Sequence, residues 1–395
     1  MTDKPKIVFV TTALLSPPHI GCMQRTVNIC RCLAMTGQVT MLAVSHRFDE
    51  RSVELCKNEF PSFYQIRLGS YDEYPPLQGA FKLKWDMHWP FSHGIQADAA
   101  GQKLFAHLIE TSDLVWFHTL GAAFPFSKQT LPCRSVMDLD DINHLKYTLR
   151  SRWDSNFRFR CSAQVQALKW KRHEYRAVKT YDIVAVCSEQ DRRYLNAANV
   201  RVIPNGFTAS AKPHWQLPNP FRIGFIGTLG YGPNYDGLVW FRDNVWPDIR
   251  RRKPQMELRI VGSPPPLQYR VEADGFTQLG YIADPADEIK SWSALIVPIH
   301  YGGGTRIKIL EAFSRLCPVV ATSVGAQGID VTDGKDILLA DNPRRFADCC
   351  LELSENPERG RLLAQAGWEL FEQKYTWDKI AHRVRQVVEE AIVQR

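Results

Sequence analysis

The densest chemical signal in this chain is the run Pro298-Ile299-His300-Tyr301-Gly302-Gly303-Gly304-Thr305-Arg306-Ile307-Lys308-Ile309-Leu310-Glu311-Ala312-Phe313. Three glycines end a continuous apolar segment, and the spacing of Ile307, Ile309, Leu310 and Phe313 opens a helix immediately afterwards. Glycines let a backbone approach a ligand closely, and a helix start presents unpaired N–H groups with a dipole that favours an anion such as a diphosphate. Arg306 and Lys308 add positive charge beside that place. Glu311 lies about one and a half turns into the helix, where its carboxylate can accept hydrogen bonds from the hydroxyls of a neutral polyol.

Four weaker signals accompany it. Gly224-Phe-Ile-Gly227-Thr228-Leu229-Gly230 runs a strand into a glycine-rich turn, but the spacing is GxxGxxG, and Glu257–Val261 ends in Gly262-Ser263 without the acidic residue a nicotinamide site needs. Ser16-Pro17-Pro18-His19-Ile20-Gly21 separates the first strand from a helix over Gln24–Thr36 that Gly37 stops, a place where free backbone amides meet ligands in open α/β sheets. His118 stands at the carboxyl end of Leu114–Phe117, on the ligand-binding edge of such a sheet. Asp138-Leu139-Asp140-Asp141 ends another strand, where the carboxylates either orient an acceptor hydroxyl or cap the following helix.

The elements that must hold these residues are apolar strands alternating with helices. Ile7–Thr12, Val39–Val44, Leu114–His118, Ser135–Leu139 and Ile183–Ser188 recur in the first half, and Ile223–Thr228, Glu257–Val261, Ala294–Pro298, Pro318–Ser323 and Ile337–Ala340 in the second. Continuous apolar strands of this kind belong to parallel sheets covered on both faces. The expectation is an α/β chain of two doubly wound, Rossmann-like domains facing a cleft: residues 1–212, then 213–376, with the Pro-rich stretch Ala211–Pro220 between them. A final helix over 377–395 crosses back to the first domain. Lys146–Lys179, rich in Arg, Lys and Trp, is expected as one long helix, and Ser70–Pro90 as a surface excursion.

At 395 residues with 45% apolar content, the chain can build two cores. Met1–Lys6 runs straight into a strand without a signal-peptide pattern, and no apolar run reaches a membrane span of about 18 residues. Ten cysteines are scattered without zinc spacing, which fits a reduced cytoplasm and no metal site. The net charge of +7 is a mild bias towards anionic partners.

The chain resembles the retaining glycosyltransferases of family 4, which have the GT-B fold. The resemblance rests on the opening IVFVTT…Gly21, Val186-Cys-Ser188-Glu189, Val202-Ile203-Pro204-Asn205-Gly206, Leu258-Arg-Ile-Val-Gly262, Gly280-Tyr-Ile282, Lys308-Ile-Leu-Glu311-Ala and Tyr375-Thr-Trp377. It implies that Glu311 holds the nucleotide ribose, that Gly302, Gly303, Gly304, Thr305, Ile307, Gly227, Thr228 and Gly21 bind the donor, and that Ile282 meets the base through its backbone. It also implies that His118 reaches the donor sugar. The family's earlier glutamate is replaced by Gly303, and its Arg and Lys after the first strand of the second domain by Thr228 and Pro233. A diphosphate leaving group needs cationic or dipolar stabilisation, so Arg306 and Lys308 are read as the substitute catalytic cations beside His118.

The resulting expectation is metal-independent, retaining transfer of a hexosyl-type sugar from a nucleotide-diphosphate sugar, with no cofactor, to a glycan, lipid-linked or small-molecule acceptor. Asp138, Asp140 and Asp141 are the acceptor-side candidates. Two rivals are a nucleotide-sugar 2-epimerase of the same fold and a non-catalytic nucleotide-sugar-binding protein. No nucleic-acid partner is expected. The aromatic and cationic residues of Gly79–His93, together with the basic helix, suggest peripheral contact of the first domain with the inner face of the membrane.

Overall fold

The computed structural model describes residues 4–14, 21–69, 96–154, 156–208, 213–263 and 269–393, with no side-chain account of 21–23. The chain divides into two compact units: Met1–Asn205 with Trp377–Arg395, and Gly206–Thr376.

In the first unit the chain runs β1 (Lys6–Thr11), α1 (Gly21–Thr36), β2 (Gln38–Ser45), α2 (Glu50–Glu59), β3 (Phe63–Arg67), α3 (Ala99–Glu110), β4 (Leu114–His118) and the short α4 (Leu120–Ala123). It continues through β5 (Arg134–Asp138), α5 (Asn143–Trp153), α6 (Phe157–Thr180), β6 (Ile183–Val186), α7 (Glu189–Leu195) and β7 (Val200–Val202). The seven strands pair in the order β3-β2-β1-β4-β5-β6-β7, and every recorded pairing is parallel.

The second unit holds β8 (Asn219–Ile226), α8 (Gly232–Asn244), α9 (Trp246–Arg252), β9 (Glu257–Val261), β10 (Phe276–Gly280), α10 (Ala286–Lys290) and β11 (Trp292–Val297). After these come α11 (Ile307–Ser314), β12 (Val319–Ala321), β13 (Leu338–Leu339), α12 (Pro343–Glu355) and α13 (Pro357–Lys374). Its six strands are also parallel, in the order β10-β9-β8-β11-β12-β13.

Both faces of each sheet are covered, which is why the central strands are predominantly apolar. β4 and β11 are buried from end to end. The last helix, α14 (Trp377–Val393), belongs to the first unit, where Ile380, Val384, Val387, Val388 and Ala391 pack with Ile7, Phe9, Leu114, Trp116 and Val136. The large apolar side chains among them contribute roughly 1.5–3 kcal/mol each by leaving water. Arg201 Nε, on β7, donates to Glu390 Oε2 at 2.8 Å and fixes the helix's far end.

Three strands escape the sequence reading, and all are marginal. β3 and β10 are edge strands with mostly part-exposed residues, and β7 has three residues, so none shows the continuous apolar run that marks a covered strand. The expected single helix over Lys146–Lys179 is two helices. Asp154 ends α5, and Asn156 starts α6 by accepting from the Arg158 amide at 3.0 Å, so a side-chain cap competes with helix continuation. The Ser70–Pro90 excursion and the whole of Gly79–His93 lie outside the described residues. Among the described residues no helix is long and apolar enough to cross a membrane.

Candidate functional site

The strand order of the second unit reverses between β8 and β11, which pair through Ala294↔Ile223 and Leu295↔Gly224. Ligands in open α/β sheets bind outside the carboxyl ends of the strands at such a reversal. Both glycine-rich segments of the sequence emerge there, Gly227–Gly230 from β8 and Gly302–Thr305 after β11.

Gly224, the first glycine of the GxxGxxG run, lies inside β8 and serves packing. A Cβ there would lie 2.0 Å from the Trp292 ring. Gly227 has φ +150°, a conformation that disfavours L side chains, and a Cβ would meet Asn234 Nδ2 at 2.6 Å and Lys308 Nζ at 2.9 Å. The Gly227 turn is therefore closed from beneath by two polar side chains. Thr228 is exposed above it, while its carbonyl accepts from Asn234 Nδ2 at 3.0 Å.

Lys308 reaches this turn from the first helical turn of α11. Its Nζ donates to Asn234 Oδ1 at 2.9 Å and sits 4.1 Å from the centre of the Phe225 ring. Burial and the neighbouring Arg306 push the ammonium down to about 7, against a smaller opposing pull from Glu311. A charge held this weakly gains most from an anion that restores its proton.

Arg306 has a different setting from the one expected. It is buried at the cap of α11 and turns back to donate from Nη1 to the carbonyls of Gly303 and Gly304. Gly302, at φ +130°, makes room, since a Cβ would lie 2.8 Å from Arg306 Nη2. The guanidinium thus shapes the glycine loop, and Lys308 is the cation beside the opposite turn. Thr305 is buried, and its hydroxyl has no hydrogen-bond partner among the described residues.

Glu311 follows on α11. Burial raises its pKa, opposed by Arg315, whose Nη2 donates to Glu311 Oε1 at 3.3 Å. Arg315 Nη1 also donates to Asp284 Oδ1 at 2.8 Å. One arginine therefore ties Glu311 to the segment after β10 that carries half-buried Ile282. Ile307, beside Lys308, packs partly buried against the same core cluster as Ile282. Sequence reasoning missed Asn234 and Arg315, because a lone Asn in a helix and an i,i+4 Arg–Glu pair are ordinary surface features until the fold places them.

The first unit has its own reversal, between β1 and β4, with Thr11, His118 and Asp138 in register across β1, β4 and β5. His118 is 3% exposed, stacks on Phe9 at 6.0 Å between ring centres, and places Nδ1 3.4 Å from Asp138 Oδ2. Asp138 does not open to an acceptor. It is fully buried, and Arg25, on α1, grips both carboxylate oxygens through Nη2 at 2.8 Å and Nε at 3.2 Å. Burial opposes its ionisation, but the Arg25 guanidinium outweighs this and, with His118, holds the carboxyl well below the usual carboxylate range.

Arg25 also donates to Ile203 O at 2.9 Å and to Asn205 Oδ1 at 3.1 Å, and lies 3.5 Å from Asp140. The N-cap position of α5 is Ile142, and the first-turn amide of His144 donates to Glu174 Oε1 at 3.2 Å. Asp140, part-buried at φ +57°, receives the Asn205 amide at 3.2 Å and the Cys187 thiol. Asp140, Asp141 and Cys187 bring ligand atoms within 4.8 Å of one another, with Arg25 supplying the positive charge beside them. Gly21 opens α1; residues 15–20 of its loop lie outside the described residues.

Residues 220–356 match the model of the family described as glycosyl transferases group 1. Over 110 residues the chain is 37% identical to an uncharacterized glycosyltransferase of Methanocaldococcus jannaschii, covering 26% of this chain and 31% of that one. The chain spans less than half the length of the curated relatives it matches, 43% and 31%. Among solved structures it is similar to the sucrose-phosphate synthase of Thermosynechococcus elongatus, at 18% identity and TM-score 0.68, covering 99% of this chain and 100% of that one. It is likewise similar to Anabaena HepE in complex with UDP and glucose, at 15% identity and TM-score 0.65, over 98% and 100%. These matches lend no support to an epimerase. The match to the group 1 glycosyl transferase model falls within the second unit, in a chain that has the GT-B fold.

Proposed function

We propose that this chain is a glycosyltransferase that takes its sugar from a nucleotide-diphosphate sugar bound to the second unit. The observation that carries the reading is the meeting of the Gly227 turn with Lys308 and Asn234 at the strand reversal. Amides of two glycine-rich segments, the start of α11, the Thr305 hydroxyl and one weakly held ammonium make a setting for a diphosphate.

In this reading Lys308 and the amides neutralise the charge that develops on the leaving diphosphate, Arg306 keeps the glycine loop in shape, and Glu311 accepts the ribose hydroxyls. Retention of configuration, a hexosyl-type donor and independence of metal follow from the family resemblance. The UDP and glucose of the HepE structure make a uridine donor the first to try. The acceptor is a glycan, a lipid-linked glycan or a small molecule.

Calorimetric titration with UDP and other nucleoside diphosphates, followed by hydrolysis and transfer assays with the sugar donors that bind, tests the proposal. Absence of binding by every nucleoside diphosphate overturns it. Tight binding without hydrolysis or transfer assigns the chain to a non-catalytic nucleotide-sugar-binding role.

A further inference from the structure

The outer face of α6 has a composition that neither the core nor the nucleotide site explains. Its inner face is buried through Ala163, Gln166, Ala167, Trp170, His173 and Ala177. Outside, Arg158, Arg160, Lys171, Arg172, Arg176 and Lys179 are all exposed, while the helix's one carboxylate, Glu174, is completely buried. None of the six cations forms an ion pair among the described residues.

Two large apolar side chains share that face, Phe157 at 74% and Leu168 at 57% exposed, while Phe159, 59% exposed, leaves the first turn on the other side of the helix. Phe157, Cys161, Gln164 and Leu168 follow each other at intervals of four, three and four, which places them on one stripe of an α-helix. At the end of α5, exposed Trp153 sits with exposed Arg150 and Arg152 beside the start of α6. The turn between the helices therefore carries three large exposed aromatics and four arginines within eleven residues, Arg150–Arg160.

We infer that this face docks on an anionic lipid bilayer. A helix of 24 residues is about 36 Å long, so it can lie along the membrane plane with its aromatics at headgroup depth and its cations among the lipid phosphates. An acidic protein or a nucleic acid would also meet the charge. Phenylalanine and leucine standing in water on the outer side of a helix are a liability that the acyl boundary removes, and this favours the bilayer. The surface belongs to the first unit and shares no residue with the nucleotide site of the second, and it stands or falls independently of donor chemistry.

Co-sedimentation of the full chain with phosphatidylcholine vesicles, with and without phosphatidylglycerol, at low and high salt, tests it. Binding should require phosphatidylglycerol and weaken by about tenfold or more in high salt. Arg158→Glu/Arg160→Glu and, separately, Lys171→Glu/Arg172→Glu should each weaken it by a similar factor. Phe157→Ser/Leu168→Ser should weaken it at both salt concentrations. All six positions are exposed, so circular dichroism and nucleoside-diphosphate affinity should be unchanged. Retention of vesicle binding by all three variants overturns the inference, as does failure of the wild type to bind at low salt. Release of the protein from vesicles by an RNA oligonucleotide, with the Phe157/Leu168 pair indifferent, would assign the face to nucleic acid and overturn it as well.

Discussion

Lys308 Nζ donates to Asn234 Oδ1 at 2.9 Å, and the same asparagine donates from Nδ2 to the Thr228 carbonyl at 3.0 Å. Through one amide, a cation on α11 is tied to the backbone of the Gly227 turn across the strand reversal. Asn234 thus positions both halves of the candidate diphosphate site. Lys308→Met should reduce nucleoside-diphosphate affinity by about tenfold to a hundredfold, the range for a charge-assisted hydrogen bond, while Asn234→Ala should cost less. Gly227→Ala should lose both affinity and stability, since its Cβ has no room. Isothermal titration on the three variants checks this, and unchanged affinity in Lys308→Met would remove the site.

The pH dependence of the same lysine has a definite sign. Its pKa falls from an ordinary 10.5 to about 7 on folding, so between those values the unfolded chain binds more protons than the folded one. Lys308 therefore makes stability rise with pH from about 7 towards 10.5, and Lys308→Met should flatten that part of the profile. A diphosphate stabilises the charged ammonium, so binding near pH 8 should take up protons. Calorimetry in buffers of different ionisation enthalpy reads this uptake, which should disappear in Lys308→Met.

Glu311→Gln should weaken nucleotide binding several-fold, since an amide offers one acceptor oxygen where the carboxylate offers two. The fold should survive on the buried Ile309, Leu310 and Phe313 of the same helix. Unchanged affinity for the nucleoside diphosphate would exclude Glu311 as the ribose partner.

In the first unit, Asp138→Asn leaves the Arg25 guanidinium buried beside a neutral group and should cost about 3–5 kcal/mol of stability. The Asp138 carboxyl has a folded pKa below its unfolded value. The stability it contributes is present above the unfolded pKa, near 4, and is lost as pH falls through the folded one. Chemical denaturation at neutral and acid pH should show the difference between wild type and variant shrinking on acidification.

Chelation offers a separate check on the metal-independent reading. Transfer activity should be unchanged by a chelator, and activity lost on chelation and restored by manganese would contradict it.

Much of this protein is written locally. The alternation of apolar strands with helices is legible because strands covered on both faces must be apolar throughout, and the segment from Gly302 to Glu311 is legible because glycines, cations and a helix start are consecutive in the chain. The edge strands β3 and β10 were not legible, since half-covered strands lose that pattern. The break between α5 and α6 turned on one capping asparagine in a stretch that otherwise reads as helix.

Partnerships across long sequence separations belong to the tertiary structure alone. Arg25 meets Asp138 113 positions away, and Lys308 meets Asn234 74 positions away. Those distances turned Asp138 from an acceptor candidate into a buried counter-ion, and separated Arg306, which folds onto its own loop, from Lys308, which reaches the opposite turn. Residue type limits what a side chain can do. Burial and the nearest opposite charge decide what it does, and both are set by which strands the sheet makes neighbours.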